Sequence, residues 1–188
     1  IRVGNPLAAD VDMGPAVDQS QLDTNLAYVK IGQEEGAKLL TGGNRLTSGA
    51  LEKGFYFEPA VFSGVKPGMR LHQEEVFGPV LTVINVDTLE EAIEVVNASR
   101  FGNGVSIFTE SASAVRKFRH DVEVGMVGVN IGVAAPVAFF PFSGWKASFL
   151  GDLHAHGPDA VEFFTRKKTI TSRYFSGGHE SGSYFVEK

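Results

Sequence analysis

Two acidic residues, an aromatic ring and a turn-forming pair make up the segment whose side chains are best suited to chemistry. The segment runs Gln73-Glu74-Glu75-Val76-Phe77-Gly78-Pro79-Val80. In a loop at the edge of an α/β sheet, the Glu75 carboxylate can accept two charge-assisted hydrogen bonds from a vicinal diol, such as that of a ribose. The face of Phe77 could pack on a planar ring, and Gly78-Pro79 would bring the backbone close to a ligand. The spacing alone fits more simply a solvated glutamate pair before a core phenylalanine, because short motifs often match by accident.

A second polar cluster comprises Asp152, His154 and His156, whose spacing would place a carboxylate and two imidazoles on one face of a strand. A metal site needs three or four converging ligands, and no further cluster accompanies this one. We therefore expect solvated or hydrogen-bonded loop histidines, and no metal site. The chain has no cysteine, which excludes disulfides and thiolate ligands.

The composition is that of a globular protein. Of the 188 residues, 43% are hydrophobic and 21% are charged, which is ordinary for one domain. The net charge is -5 and no basic run suggests a nucleic-acid surface, so we expect no nucleic-acid partner. No apolar stretch approaches the roughly 18 residues that span a membrane, so we expect no membrane partner.

Hydrophobic periodicity predicts alternating strands and helices in the central part of the chain. The apolar run from Val80 to Val86 is typical of a strand buried on both faces. Thr88-Leu89-Glu90-Glu91 is a capping-box sequence that begins a helix continuing to Val96. A strand over residues 104–109, a helix over 111–120 and a strand over 126–131 follow. The order β-α-β-α-β predicts an α/β fold with a parallel sheet and right-handed crossovers.

The flanking parts are less regular. A helix is predicted between Asp18, which begins it, and Gly36, which ends it. An aromatic and β-branched strand is predicted over residues 55–62, and Pro59 favours a sheet edge for it. Residues 132–158 are predicted to be a long loop, of the kind that is usually functional or packed on itself.

Nearly the whole chain resembles the last third of an NAD(P)-dependent aldehyde dehydrogenase, whose Glu-Glu-hydrophobic-Phe-Gly-Pro signature matches residues 74–79. The other matches follow in the family's order and spacing, which makes the set specific. They are Asn5-Pro6 with Met13-Gly14-Pro15, Glu34-Glu35-Gly36-Ala37-Lys38, Gly54-Phe55-Tyr56-Phe57-Glu58-Pro59 and Pro141-Phe142-Ser143-Gly144-Trp145-Lys146. The resemblance implies the C-terminal portion of a parallel-sheet α/β catalytic domain.

The resemblance also implies roles for three residues. The glutamate matching Glu75 holds the nicotinamide ribose of NAD, and the phenylalanine matching Phe77 packs beside it. The residue matching Phe142 lines the tunnel through which the aldehyde enters. The family's nucleophilic cysteine, general-base glutamate and oxyanion asparagine are expected upstream of Ile1, so no catalytic residue is assigned here.

The implied mechanism needs more than these 188 residues. In the family a cysteine attacks the aldehyde, hydride passes to NAD, and water or coenzyme A opens the resulting thioester. A chain without cysteine is expected to be a fragment that is inactive alone. Its expected partners are its own N-terminal dinucleotide-binding domain and a small aldehyde.

Three segments are similar to one branch of the family, the coenzyme A-acylating methylmalonate-semialdehyde dehydrogenases. They are residues 102–109, residues 143–152 and residues 166–171. That branch uses NAD and coenzyme A to convert methylmalonate or malonate semialdehyde to an acyl-coenzyme A and carbon dioxide. Residues 131–137, near the tunnel, depart from the branch's Pro-Ile-Pro-Val-Pro-like run, so the substrate stays open. A hydrolytic NAD(P)-dependent aldehyde dehydrogenase and a non-catalytic assembly module are the alternatives.

The C-terminal part is expected to serve assembly. We expect residues 1–166 to belong to the catalytic domain, 167–175 to form an oligomerisation strand and 176–188 to form a polar tail. A short helix over 158–166 precedes the strand. In the family the matching strand crosses to a neighbouring subunit, which implies a homo-oligomer, a dimer or a tetramer, in the cytoplasm or, in a eukaryote, the mitochondrial matrix. The unmatched edge and an uncovered face predict self-association of the isolated chain.

Overall fold

The computed structural model describes residues 1–174 and confirms an α/β fold. The helices in this part of the chain are α1 (Gln19–Glu34), α2 (Arg70–Gln73), α3 (Leu89–Ala98), α4 (Ala112–Asp121) and α5 (Asp159–Phe164), with a 3-10 turn at Gly49–Leu51. The strands are β1 (Lys38–Thr41), β2 (Ala60–Ser63), β3 (Val80–Thr82), β4 (Phe101–Gly102), β5 (Gly104–Ile107), β6 (Met126–Val129) and β7 (Trp145–Lys146). The described residues form two compact units, residues 1–135 with 143–150, and residues 136–142 with 151–174.

The three long helices begin where local side-chain caps predict them. The Asp18 carboxylate accepts a hydrogen bond from the Gln21 N–H at 2.8 Å, and the Thr88 hydroxyl accepts one from the Glu91 N–H at 3.1 Å. Ser111 caps α4 in the same way. Each such cap stabilises a helix start by about 1 kcal/mol, which explains why these boundaries agree with the predicted ones.

The first unit contains a three-stranded sheet of order β1-β2-β3, with β1 antiparallel and β3 parallel to β2. The prediction that the strand at Pro59 lies at an edge is wrong, because β2 is the central strand. Pro59 precedes the strand, and the ladder begins with the Ala60 N–H, which donates to the Pro79 carbonyl at 2.9 Å. A proline just before a strand removes no ladder hydrogen bond.

The predicted crossover through α4 is confirmed, since β5 and β6 pair in parallel with Gly104 opposite Met126 and Ile107 opposite Val129. One parallel sheet joining β3 to these strands is not formed by residues 1–174, because β3 pairs with β2. Strand β7, which pairs antiparallel with β4, lies inside the predicted loop over 132–158. Pairing partners distant in the chain leave no trace in periodicity, which explains both differences.

Two apolar clusters form the core of the first unit. The larger cluster comprises Leu22, Val29, Ala37, Phe57, Ala60, Phe62, Val65 and Leu71, and the smaller one Ile93, Phe118, Val122 and Val124. Val80 and Ile84 pack against the larger cluster, whereas Leu81 is 60% exposed. The predicted burial of β3 on both faces is therefore wrong for this chain, because alternate side chains of a strand point to opposite faces and only one face is covered.

In the second unit, α5 lies within the helix predicted over residues 158–166. Residues 165–174 are exposed and form no strand within the single chain, so an oligomerisation strand over 167–175 stays a prediction, as do the predicted domain boundaries. The predicted polar tail, 176–188, lies outside the described residues. Within residues 1–174 no helix has the length and apolar character needed to cross a membrane.

Candidate functional site

The glutamate-pair segment forms the loop between α2 and β3, which we call the signature loop (residues 74–79). Phe77 in this loop has a φ of 56°, in the left-handed region that bulky residues rarely adopt. Its side chain is 81% exposed, so burial of the ring does not offset that cost. A backbone conformation of this kind persists only when surrounding contacts hold it in place.

Glu75 is exposed and lines a cavity of about 360 Å³. The other lining residues are Phe101 and Asn103, at and just after β4, and Ala147 and Ser148, just after β7. The cavity therefore combines a carboxylate, a carboxamide and an aromatic ring. That combination suits a polar ligand with hydroxyl groups and a flat apolar part.

The pairing of β4 with β7 builds the wall of this cavity opposite the signature loop. The Ser148 hydroxyl accepts a hydrogen bond from the Gly102 N–H at 3.0 Å. The Lys146 ammonium donates to the carbonyls of Asn97 at 2.8 Å and Ser99 at 3.2 Å, at the end of α3. A cation at a helix C-terminus satisfies carbonyls that lack helical partners, and here it also anchors β7.

Glu74 has contacts quite different from those of Glu75. The Tyr28 hydroxyl donates to its carboxylate at 2.5 Å. The Arg70 side chain donates to the same carboxylate from Nε at 3.0 Å and from a terminal nitrogen at 2.9 Å. The guanidinium carbon also lies 5.3 Å from the centroid of the Tyr28 ring. Glu74 is thus held by two side chains from separate helices.

These contacts stabilise the ionised form of Glu74. The hydrogen bond from Arg70 and then that from Tyr28 lower the pKa of the Glu74 carboxyl. The same hydrogen bonds to Glu74 raise the pKa of the Tyr28 hydroxyl and the pKa of the Arg70 guanidinium. Adjacent glutamates therefore differ in role, since Glu74 is engaged in a structural ion pair and Glu75 lines the open cavity.

Helix α1 contacts the rest of the signature loop through two amide side chains. The Gln21 amide donates to the Val76 carbonyl at 3.2 Å and to the Asn25 oxygen at 2.9 Å. Asn25 is fully buried, and a Cβ built at Gly78 would lie 2.0 Å from its oxygen. The backbone of the loop therefore approaches α1 as closely as a glycine permits.

Phe142, the predicted tunnel residue, lies in the second unit. It is partly buried, and its ring centroid is 5.8 Å from that of His156 with the planes tilted by 58°. Its proposed contact with an aldehyde stays a prediction. His154 is buried, and residues 1–174 contain no group of three or more His, Asp or Glu side chains that could hold a metal ion.

The sequence predicted a role for Glu75, which stays a prediction, and did not indicate that Tyr28, Arg70 and Asn25 contact its neighbours. The spacing of polar residues on α1 is the one feature of the sequence that indicates these contacts. Gln21, Asn25 and Tyr28 recur at spacings of four and three, so they share one face of α1 next to its apolar stripe. A polar stripe beside a buried stripe indicates a second contact surface, although the sequence does not show what that surface contacts.

Comparisons with known proteins show the family of the chain. The model of the aldehyde dehydrogenase family matches residues 1–170. Malonate-semialdehyde dehydrogenase 3 of Geobacillus kaustophilus is 49% identical over 93% of this chain and 36% of its own length. The malonate-semialdehyde dehydrogenase of Bacillus pumilus is 48% identical over 92% of this chain and 35% of its own length.

Solved structures show the same likeness. A Sinorhizobium meliloti protein assigned as a methylmalonate-semialdehyde dehydrogenase, in complex with NAD, superposes with a TM-score of 0.89 at 39% identity, covering 94% of this chain and 36% of that one. Betaine aldehyde dehydrogenase of Staphylococcus aureus, in complex with NAD+, gives 0.81 at 31% identity, covering 87% and 32%. The chain spans about a third of the length of these relatives. Its match over residues 1–170 and these identities show that the chain belongs to the aldehyde dehydrogenase family.

Proposed function

We propose that the protein containing this chain is an NAD-dependent aldehyde dehydrogenase. Its proposed substrates are malonate or methylmalonate semialdehyde, which it oxidises and decarboxylates to an acyl-coenzyme A. The observation that carries this proposal is the 49% identity to a malonate-semialdehyde dehydrogenase over 93% of the chain. The branch similarity of residues 102–109 and 143–152 supports the same substrate class.

The residues around the cavity fit NAD. The exposed Glu75 carboxylate can accept hydrogen bonds from both hydroxyls of a ribose, and hydrogen bonds to a charged group contribute roughly 1.5–3 kcal/mol each. The exposed face of Phe77 can pack beside a nicotinamide ring, and Asn103 adds a carboxamide to the same cavity as Glu75. NAD when bound would accept the hydride from the substrate, while these side chains orient the cofactor.

The nucleophile has to come from elsewhere. The 188 residues contain no cysteine, and the thioester route needs a thiolate. We therefore propose that this chain supplies cofactor-orienting residues and, through Phe142, part of the aldehyde's path. A thiol and the main dinucleotide-binding surface would come from residues outside these 188.

Coenzyme A distinguishes the proposed branch from its alternative. A thioester can be opened by coenzyme A or by water. Residues 131–137 depart from the pattern of the branch near the tunnel, so the substrate has to be identified by experiment. An enzyme that uses water would be a hydrolytic aldehyde dehydrogenase with a different substrate. A chain that acts only in assembly would support neither reaction.

The test uses the full-length protein that contains this chain. NADH formation is followed with malonate and methylmalonate semialdehyde, with and without coenzyme A, and the 188-residue chain serves as a control. We expect turnover that depends on coenzyme A in the full-length protein and none in the 188-residue chain. Turnover without coenzyme A would assign the hydrolytic branch, and no turnover with either semialdehyde would contradict the proposal.

A matched pair of variants tests the cofactor role of Glu75. Replacing it by Gln removes the charge and leaves the shape, so we expect the KM for NAD to rise about tenfold, consistent with loss of roughly 1.4 kcal/mol of binding. Glu94→Gln removes another exposed carboxylate, which lies on α3, and should leave the KM for NAD unchanged. Equal KM values in both variants would contradict a ribose contact by Glu75.

We further propose a homo-oligomer assembled through residues 167–174. Ile170 is 75% exposed, and residues 167–174 form no strand within the described part of the chain, so this segment could add to the edge of a sheet in a second subunit. Ile170→Asp in the full-length protein should lower the native mass measured by light scattering. An unchanged mass would contradict assembly through this segment.

A further inference from the structure

We propose that Tyr28 and Arg70 are positioning residues, which hold Glu74 against α1 and thereby direct Glu75 toward the ribose of NAD. The inference rests on the proposed function, and it extends the site to two residues that would not touch the cofactor. It is carried by the geometry at Glu74, where side chains from α1 and α2 converge on one carboxylate.

The backbone connects the two glutamates mechanically. Glu74 has φ −118° and ψ 144°, an extended conformation. Successive side chains along extended backbone point to opposite sides, so fixing the Glu74 side chain on the α1 side turns Glu75 the other way, toward the cavity that it lines. Rotation of this segment would move both carboxylates together.

The rest of the signature loop needs support as well. Phe77 is in the left-handed region with φ 56°, a conformation that relaxes unless neighbouring residues hold it. Gln21 holds the Val76 carbonyl, and close contact between Asn25 and Gly78 fixes the far end of the loop. Tyr28 and Arg70 hold the near end, so their loss would release the end that carries Glu75.

Charge gives the arrangement a second function. Without Arg70, the Glu74 and Glu75 carboxylates would repel each other, and Glu74 would be free to compete with Glu75 for the hydroxyls of a diol. The Arg70 guanidinium lies 2.9 Å from the Glu74 carboxylate and offsets its charge. Glu75 is thereby left as the carboxylate that the ribose meets.

The experiment measures NAD binding to the full-length protein by calorimetry, together with KM for NAD, kcat and the melting temperature. Tyr28→Phe removes one hydroxyl from the half-buried ring, and we expect the Kd for NAD to rise about three- to tenfold while kcat changes less than about twofold. Arg70→Met should weaken binding at least as much. Arg70→Lys should restore part of it, because charge is kept and the two-point hydrogen bonding is lost.

One further variant is a control and another is a second test of the same contact. Tyr56→Phe removes a hydroxyl from another partly buried tyrosine and should leave the Kd for NAD unchanged. Glu74→Gln alters an exposed residue without disturbing the core, so it stays informative if Tyr28→Phe does not fold. We expect Glu74→Gln to weaken NAD binding, because the amide oxygen still accepts hydrogen bonds but without the charge that strengthens them. Tyr28→Phe should cost less NAD binding in the Glu74→Gln background than in the wild type, because both changes act on the same contact.

The outcomes separate this inference from the proposed function. If the wild type binds NAD and Glu75→Gln weakens binding while Tyr28→Phe and Glu74→Gln do not, positioning by Tyr28 is overturned and the proposed function stands. If Tyr28→Phe lowers the melting temperature and kcat with an unchanged Kd, its role is stability alone, which also overturns the inference. A wild type that binds no NAD overturns both.

Discussion

The amide oxygen of the fully buried Asn25 lies 2.0 Å from the point where a Cβ at Gly78 would be. No side chain fits there, and the obstacle is a residue held within a helix rather than the free end of a flexible chain. The φ angle of Gly78 is one that other residues can adopt, so the backbone conformation does not require glycine here. Glycine is required because the backbone at position 78 lies so close to the Asn25 side chain.

Gly78→Ala should lower the free energy of unfolding by at least ~2 kcal/mol, since overpacking beside a buried amide forces the backbone to move. Adding Asn25→Ala should recover part of this loss, so that the double variant is more stable than the two single effects predict. Gly132→Ala, at a glycine with open space around it, is the control. Chemical unfolding is measured for the wild type, the two single variants, the double variant and the control. Additive effects would contradict a clash between positions 25 and 78.

Lys146→Met tests the anchor of β7. The ammonium donates to the carbonyls of Asn97 and Ser99 at the end of α3 and is mostly buried. Removing it leaves these carbonyls without their charged partner, so we expect a loss of about 1–2 kcal/mol in unfolding free energy. Lys53→Met, at an exposed position, should change stability little. A similar stability in both variants would show that the Lys146 contacts contribute nothing.

The contact between Lys117 and Asp121 should make stability depend on pH at both extremes. Their atoms lie 2.8 Å apart, and the hydrogen bond from Lys117 lowers the pKa of Asp121 below its ordinary 3.8. The same contact raises the pKa of Lys117 above 10.5. Asp121→Asn should therefore lower the melting temperature at neutral pH. The difference in melting temperature from the wild type should shrink as pH falls through the lowered pKa of Asp121, and again as pH rises through the raised pKa of Lys117.

The control for this pH prediction is Glu94→Gln, which removes an exposed carboxylate on α3. Its melting temperature should follow that of the wild type across the pH range. A difference between Asp121→Asn and the wild type that stays constant from acid to alkaline pH would contradict the predicted linkage.

A charge placed on the face of β6 that carries Val127 and Val129 should favour the monomer of the 188-residue chain and should destabilise the full-length protein. They are two residues apart on β6, both 36% exposed, and Gly128 between them is buried, so they share the uncovered face. Val129→Lys should reduce self-association of the 188-residue chain in size-exclusion chromatography, because it adds charge to an apolar face. In the full-length protein it should lower stability if that face is covered there. Unchanged self-association of the 188-residue chain, or unchanged stability of the full-length protein, would contradict this interpretation.

Local signals made much of the fold predictable. Asp18, Thr88 and Ser111 each cap a helix within four residues of chain, so their effect is visible in the sequence. Pairing of β3 with β2, and of β7 with β4, joins segments far apart in the chain and was not predictable from periodicity. At the site, the signature motif indicated Glu75, whereas the contact between Tyr28 and Glu74 spans 46 residues and depends on how α1 packs.

The opposite orientation of Glu74 and Glu75 has a consequence for the evolution of this segment. Surface loops ordinarily tolerate insertions and deletions, and residues 74–79 lie in a loop between α2 and β3. Inserting one residue between Gln73 and Glu74 would exchange the carboxylate that faces α1 with the one that faces the cavity, although both glutamates would be kept. The length of this loop should therefore be under stronger selection than its position on the surface suggests.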